Sequence, residues 1–214
     1  NVYATSYYGN YVVKFDSNGN YVFDISVPAK PFGVGVDTAG NIYVASSSVN
    51  NISKYDSSGN FLLDFSLGGQ PDQIGVDNSN NIYVALPAQN LIQKFDSSGN
   101  FLLDFGSSSS FNQPHGVSVD SAGIVYVTDR DNYKIQKFDS SGSFIGEITN
   151  VGSGTYGGPR HIATDPTGKI YVTTHNGFIL SIFDSSGNLL DEIGGSGSGS
   201  NGYSGDPLED CKQT

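Results

Sequence analysis

Apolar residues along the chain come in short runs that alternate with polar positions at a period of two, and each run is closed by Gly, Asn, Asp, Ser or Pro. Such a pattern predicts short β-strands joined by tight turns. In one stretch the runs are Gly33 to Asp37, Ile42 to Ala45, Ile52 to Asp56 and Phe61 to Phe65, denoted A to D. No segment sustains a 3.6-residue period, so essentially no helix is expected.

The four-run unit recurs. An aromatic-Asp-Ser-Ser/Asn-Gly-Asn/Ser motif places aspartates at Asp16, Asp56, Asp96, Asp139 and Asp184, spaced by 40, 40, 43 and 45 residues. A second anchor ends strand A at Asp37, Asp77, Asp120 and Asp165, always 19 residues before the next motif aspartate, so the length variation falls between units. Four strands per unit of about 40 residues predict an all-β propeller of four-stranded antiparallel blades with five visible repeats. Closure with five or six blades stays open. Asn1-Val2-Tyr3-Ala4 matches Asn41-Ile42-Tyr43-Val44, so the first unit begins at strand B. The propeller is expected over 1–193, and 194–214 form a Gly/Ser-rich tail expected to close the ring or contact blade one or a second subunit.

The Asp-Ser-Ser-Gly-Asn motifs have a backbone reading: a type I turn leads into a glycine at positive φ and closes the C-to-D hairpin. That loop sets Phe15 opposite Tyr21, Tyr55 opposite Phe61, Phe95 opposite Phe101 and Phe138 opposite Phe144. On the same hairpin face, Lys14, Lys54, Lys94 and Lys137 are expected to form screened ion pairs with Asp24, Asp64, Asp104 and Glu147. Tyr3, Tyr43, Tyr83, Tyr126 and Tyr171 recur in strand B as packing residues.

The net charge of -11 over 214 residues opposes binding to nucleic acid, and no apolar run approaches the roughly 20 residues that span a bilayer. Most of the acids belong to the repeat framework, so the acidity says little about a substrate. The single cysteine, Cys211, makes no intrachain disulfide, and the lack of methionine suggests a processed chain or a piece of a longer one.

The run Asp129-Arg130-Asp131-Asn132-Tyr133-Lys134-Ile135-Gln136-Lys137-Phe138-Asp139, preceded by Pro114-His115-Gly116-Val117-Ser118-Val119-Asp120, resembles an NHL repeat. Asn201 to Asp206 is similar to an interblade loop common in that family. The resemblance implies a propeller, usually six-bladed, and roles that range from protein and RNA binding to lyase chemistry.

Architecture recurs between blades, whereas a functional residue need not. After the strand-A proline stand Phe32, Asp72, His115 and Arg160, followed by Gly33, Gln73, Gly116 and His161. We therefore expect Phe32, Asp72, His115, Arg160 and His161 to line the channel mouth and orient a small polar ligand. Arg130, Tyr133, Tyr156 and His175 are recognition candidates on the loops of the same face. The expected role is a non-catalytic binding scaffold on an extracellular or surface protein, with a protein or glycan partner, possible self-association, no catalytic residues and no cofactor. The alternative is a metal-dependent lyase or hydrolase similar to amidating lyases, in which the resemblance implies zinc held by His115, His161 and His175. Against it, adjacent registers set His115 and His161 on opposite strand faces.

Overall fold

The computed structural model describes residues 1–28, 30–106, 110–152, 157–174 and 179–194. Five antiparallel sheets follow one another along the chain. Blade I has three strands, β1 (Val2–Ser6), β2 (Tyr11–Phe15) and β3 (Tyr21–Ser26). Blade II comprises β4 (Pro31–Val36), β5 (Ile42–Ser46), β6 (Asn51–Tyr55) and β7 (Phe61–Ser66). Blade III comprises β8 (Ile74–Val76), β9 (Ile82–Leu86), β10 (Leu91–Phe95) and β11 (Phe101–Phe105). Blade IV comprises β12 (Pro114–Val119), β13 (Val125–Asp129), β14 (Lys134–Phe138) and β15 (Phe144–Thr149). Blade V comprises β16 (Pro159–Thr164), β17 (Ile170–Thr174), β18 (Ile179–Phe183) and β19 (Leu189–Gly194). Helix is limited, among the described residues, to the single 3-10 turns Pro87–Gln89 and Arg130–Asn132. No helix among them is long and apolar enough to cross a membrane.

The expected register holds. Phe15 pairs with Tyr21, Tyr55 with Phe61, Phe95 with Phe101 and Phe138 with Phe144, each beside a shift in the ladder. The last three pairs meet edge to face at 5.8 to 5.9 Å. Each hairpin turn ends in a glycine at φ between 81° and 95°, a region that favours glycine because it has no Cβ. Inside the turn the aspartate side chain caps the loop: Asp56 Oδ1 accepts the N–H groups of Ser58 and Asn60, and Oδ2 accepts the Asn60 amide.

Buried residues form four clusters, each shared by adjacent blades from I/II through IV/V. The tyrosines of strand B belong to this packing, and Tyr43, Tyr83, Tyr126 and Tyr171 donate to the strand-A aspartates Asp37, Asp77, Asp120 and Asp165. The expected lysine ion pairs do not form. Lys14, Lys54, Lys94 and Lys137 instead cross to the next blade and donate to the carbonyls of Ser57, Ser97, Ser140 and Ser185 at 2.7 to 3.1 Å. Each amine also stands over a strand-B ring, 5.0 to 5.8 Å from the centres of Tyr3, Tyr43, Tyr83 and Tyr126. Glu147 pairs with Lys134.

Candidate active site

The inner strands begin with a bulge. Pro114 pairs with Asp129 and Val117 with Val127, so His115 and Gly116 together face Thr128. β4 and β16 repeat the arrangement at Phe32-Gly33 and Arg160-His161. In blade III the Asp72 N–H and the Gln73 carbonyl both bond to Ala85. A bulge breaks the two-residue alternation and re-aims the side chains it carries. His161 lies within electrostatic reach of both His115 and Asp72.

The inner strands approach closely. Gly116 sits where a Cβ would come 2.6 Å from the Arg160 carbonyl oxygen and 2.9 Å from Gln73 Oε1 and Thr128 Oγ1. Gln73 reaches across to blade V, where Nε2 donates to the Ile162 carbonyl at 2.8 Å and Oε1 accepts the Ile162 N–H at 3.2 Å. This bracket ties the inner strands of blades III and V beside the bulges that carry the site. Thr128 accepts the Gly116 N–H and donates to the Arg160 carbonyl, both at 2.7 Å.

On this frame Asp72 and His115 form a buried pair, 4% and 7% exposed, through Asp72 Oδ2 and His115 Nδ1. Arg130 Nη1 lies 3.1 Å from His115 Nε2. A guanidinium only donates, so Nε2 accepts, and the ring proton sits on Nδ1 facing the carboxylate. Asp72 Oδ1 is buried with no hydrogen-bond partner among the described residues. His161 is open to solvent yet ringed by protein. Burial pushes its imidazole below the ordinary 6.5, Asp72 pulls the other way, and Arg160 and His115 add to the depression, which leaves the ring neutral at pH 7.

An aromatic wall adjoins the pair. The Arg160 guanidinium stands 5.8 Å from the centre of the Phe32 ring, Tyr7 meets Phe32 edge-on at 5.7 Å, and Tyr8 meets Tyr7 at 5.0 Å. The mouth thus unites all five expected residues, Phe32, Asp72, His115, Arg160 and His161, and adds Arg130. Tyr133 caps the 3-10 turn with φ 54° and lines an open cleft beside Lys134 and Glu147. Tyr156, His175 and the tail from residue 195 onward lie outside the described residues.

Sequence reading passed over Thr128 and Asp129. Asp129 is fully buried and accepts from the Asn112 N–H at 2.6 Å, the Asn132 amide at 2.8 Å and the Gln136 amide at 2.7 Å, which anchors the loop that carries Arg130. It stands where the other blades have Ser6, Ser46, Leu86 and Thr174. Non-recurrence, applied to the last position of strand B, would have found it.

Of the residues through which the resemblance implied zinc, His115 and His161 are described, whereas His175 lies outside the described residues. Asp72 and a guanidinium engage both ring nitrogens of His115, and no group of three or more His, Cys, Asp or Glu among the described residues is placed to hold a metal ion.

Residues 111–138 match the NHL repeat, and residues 146–182 match the strictosidine synthase-like N-terminal family. With the five-bladed arrangement, these matches support an NHL-repeat propeller. No curated protein matches the sequence. Among solved structures, the chain is similar to a catalytically inactive histidine-to-alanine form of virginiamycin B lyase from Staphylococcus aureus with quinupristin. The TM-score is 0.71 at 16% identity, over 90% of this chain and 65% of that one. A streptogramin B lyase gives 0.74 at 17% identity, over 91% and 65%. A gluconolactonase from Xanthomonas campestris gives 0.71 at 18% identity, over 92% and 72%. At these identities the likeness shows the fold, and the chain spans 65% of the length of the lyases. The expected non-catalytic scaffold is nonetheless overturned. The propellers it resembles include lyases and a lactonase, a strictosidine synthase-like segment is matched within it, and nothing among these comparisons supports a purely binding role.

Proposed function

We propose that this NHL-repeat propeller is an enzyme that cleaves a C–O bond of an ester or lactone by general-base catalysis at the channel mouth, with His115 as the base. The observation that carries the reading is the buried Asp72–His115 pair whose outer nitrogen, Nε2, faces Arg130. Asp72 fixes the ring orientation and the Nδ1–H tautomer, and it stabilises the imidazolium that forms when Nε2 takes a proton. Taken from water, that proton frees a hydroxide equivalent to attack the acyl carbon; the ester C–O bond breaks and its electron pair leaves on the alkoxide, which recovers the proton. Taken from carbon, it leaves an electron pair that forms a double bond as the C–O bond breaks toward a carboxylate. Either course places negative charge on oxygen, and both arginines of the chain, Arg130 and Arg160, stand at this mouth. The inactive lyase resembled here was obtained by replacing a histidine, which suits a histidine-centred chemistry.

The test is turnover of a panel of lactones and aryl esters by the wild-type protein and by His115→Gln, which keeps a donor for the Asp72 carboxylate and avoids stranding a buried charge. Wild-type turnover with a loss of about 100-fold or more in kcat for the variant is expected, at unchanged circular dichroism. Equal rates, or no turnover of any ester or lactone by the wild type, would overturn the proposal.

A further inference from the structure

The base that the proposed function relies on is covered, because the electron pair of His115 Nε2 is taken by Arg130. The backbone of Arg130 is pinned. Its N–H donates to the Gln113 carbonyl, the neighbouring Asp131 N–H donates to the Asn112 carbonyl, and Gly158 packs so closely on the Arg130 carbonyl that no Cβ would fit. The guanidinium is placed differently. It ends a long stem, is only partly buried, and is shared between two partners: Nε at 2.7 Å from Oδ1 and Nη2 at 3.4 Å from Oδ2 bond the exposed Asp131, while Nη1 alone reaches the imidazole. Toward the ring it gives a single N–H to a neutral nitrogen.

We propose that Arg130 is a substrate-operated latch on this site, and that the latch selects substrates that present an acyl oxygen, as a carbonyl or carboxylate, at the mouth. The inference rests on the reading of His115 as the base and adds how that base is uncovered. A carboxylate, or an acyl oxygen on which negative charge develops, offers Arg130 a partner in which donor and acceptor are both charged and which can accept two N–H groups, in place of one N–H on a neutral ring nitrogen. The exchange breaks no covalent bond: an N–H···N contact becomes N–H···O, and the lone pair of Nε2 is freed beside the very group that has to be deprotonated or attacked. Molecules with hydroxyl or amine groups but no acyl oxygen leave the latch shut.

The test reads the ring nitrogen directly. With 15N-labelled protein, the His115 Nε2 resonance is assigned by its loss in His115→Gln and followed during titration with sodium benzoate, a flat carboxylate. In the wild type, benzoate should move the resonance toward the value of a nitrogen without a hydrogen bond. In Arg130→Gln it should already sit there and not respond; Arg130→Lys, the milder change, serves if the glutamine variant fails to fold. For an ester or lactone that is turned over, Arg130→Gln should lower kcat/KM about 100-fold. A resonance that neither benzoate nor the Arg130 substitutions move would overturn the latch, as would wild-type kcat/KM in Arg130→Gln. Movement of the resonance without turnover of any ester or lactone would uphold the latch and sink the proposed reaction, so the two failures are separable.

Discussion

His115 meets Asp72 because the residues around it leave room for nothing else. Gly116 shows how tight the frame is, since a Cβ there would strike a carbonyl, an amide and a hydroxyl at once. All three atoms belong to backbone or to hydrogen-bonded side chains that hold blades III, IV and V together, so they cannot yield cheaply. Gly116→Ala should therefore cost about 2 kcal/mol, within the range for overpacking a close-packed site. Urea denaturation measures it, and an unchanged midpoint would contradict the packing described. At this scale the sequence was partly legible. Asp72, His115, Arg160 and His161 stood out because blades that otherwise repeat differ there. What strand alternation cannot show is a bulge, which needs no marker residue and shifts every following side chain by one.

At the level of the element, the hairpins were legible almost in full. Turn chemistry and the aromatic residues on either side determine their register, and both are local in sequence. The lysines were misread because counting along a hairpin finds neighbours within a blade, whereas Lys54 and Lys94 find theirs in the next one. The turn aspartates carry a pH prediction. Hydrogen bonds from turn amides hold Asp16, Asp56, Asp96, Asp139 and Asp184 below the ordinary 3.8, and Asp165 falls to about 2 through Thr167, Lys169 and Tyr171. A carboxyl that is more acidic folded than unfolded stabilises the fold above the unfolded value, and that contribution is lost as the pH falls through the folded one. The melting temperature should thus be nearly flat from about pH 7 to 5 and fall steeply between about pH 4 and 2. Melts followed by circular dichroism check this; a melting temperature that holds down to the acid end of the range would show that the turns contribute little.

For the molecule as a whole, the repeat made the architecture legible, and the interblade clusters follow from it. Ile182 departs from the lysine that the other blades carry at this position. The function was not legible in the same way. Its residues come from four inner strands and one loop, as far apart in sequence as Phe32 and Arg160, and only the convergence of those strands brings them to one mouth. The central claim is that Asp72 and His115 act there as one catalytic unit. A double-mutant cycle in kcat/KM with Asp72→Asn, His115→Gln and the double variant tests it most directly, because residues that act as a unit are strongly non-additive. The double variant should be no slower than His115→Gln alone, whereas losses that multiply would mean that the two side chains work independently and that the site has been misassigned.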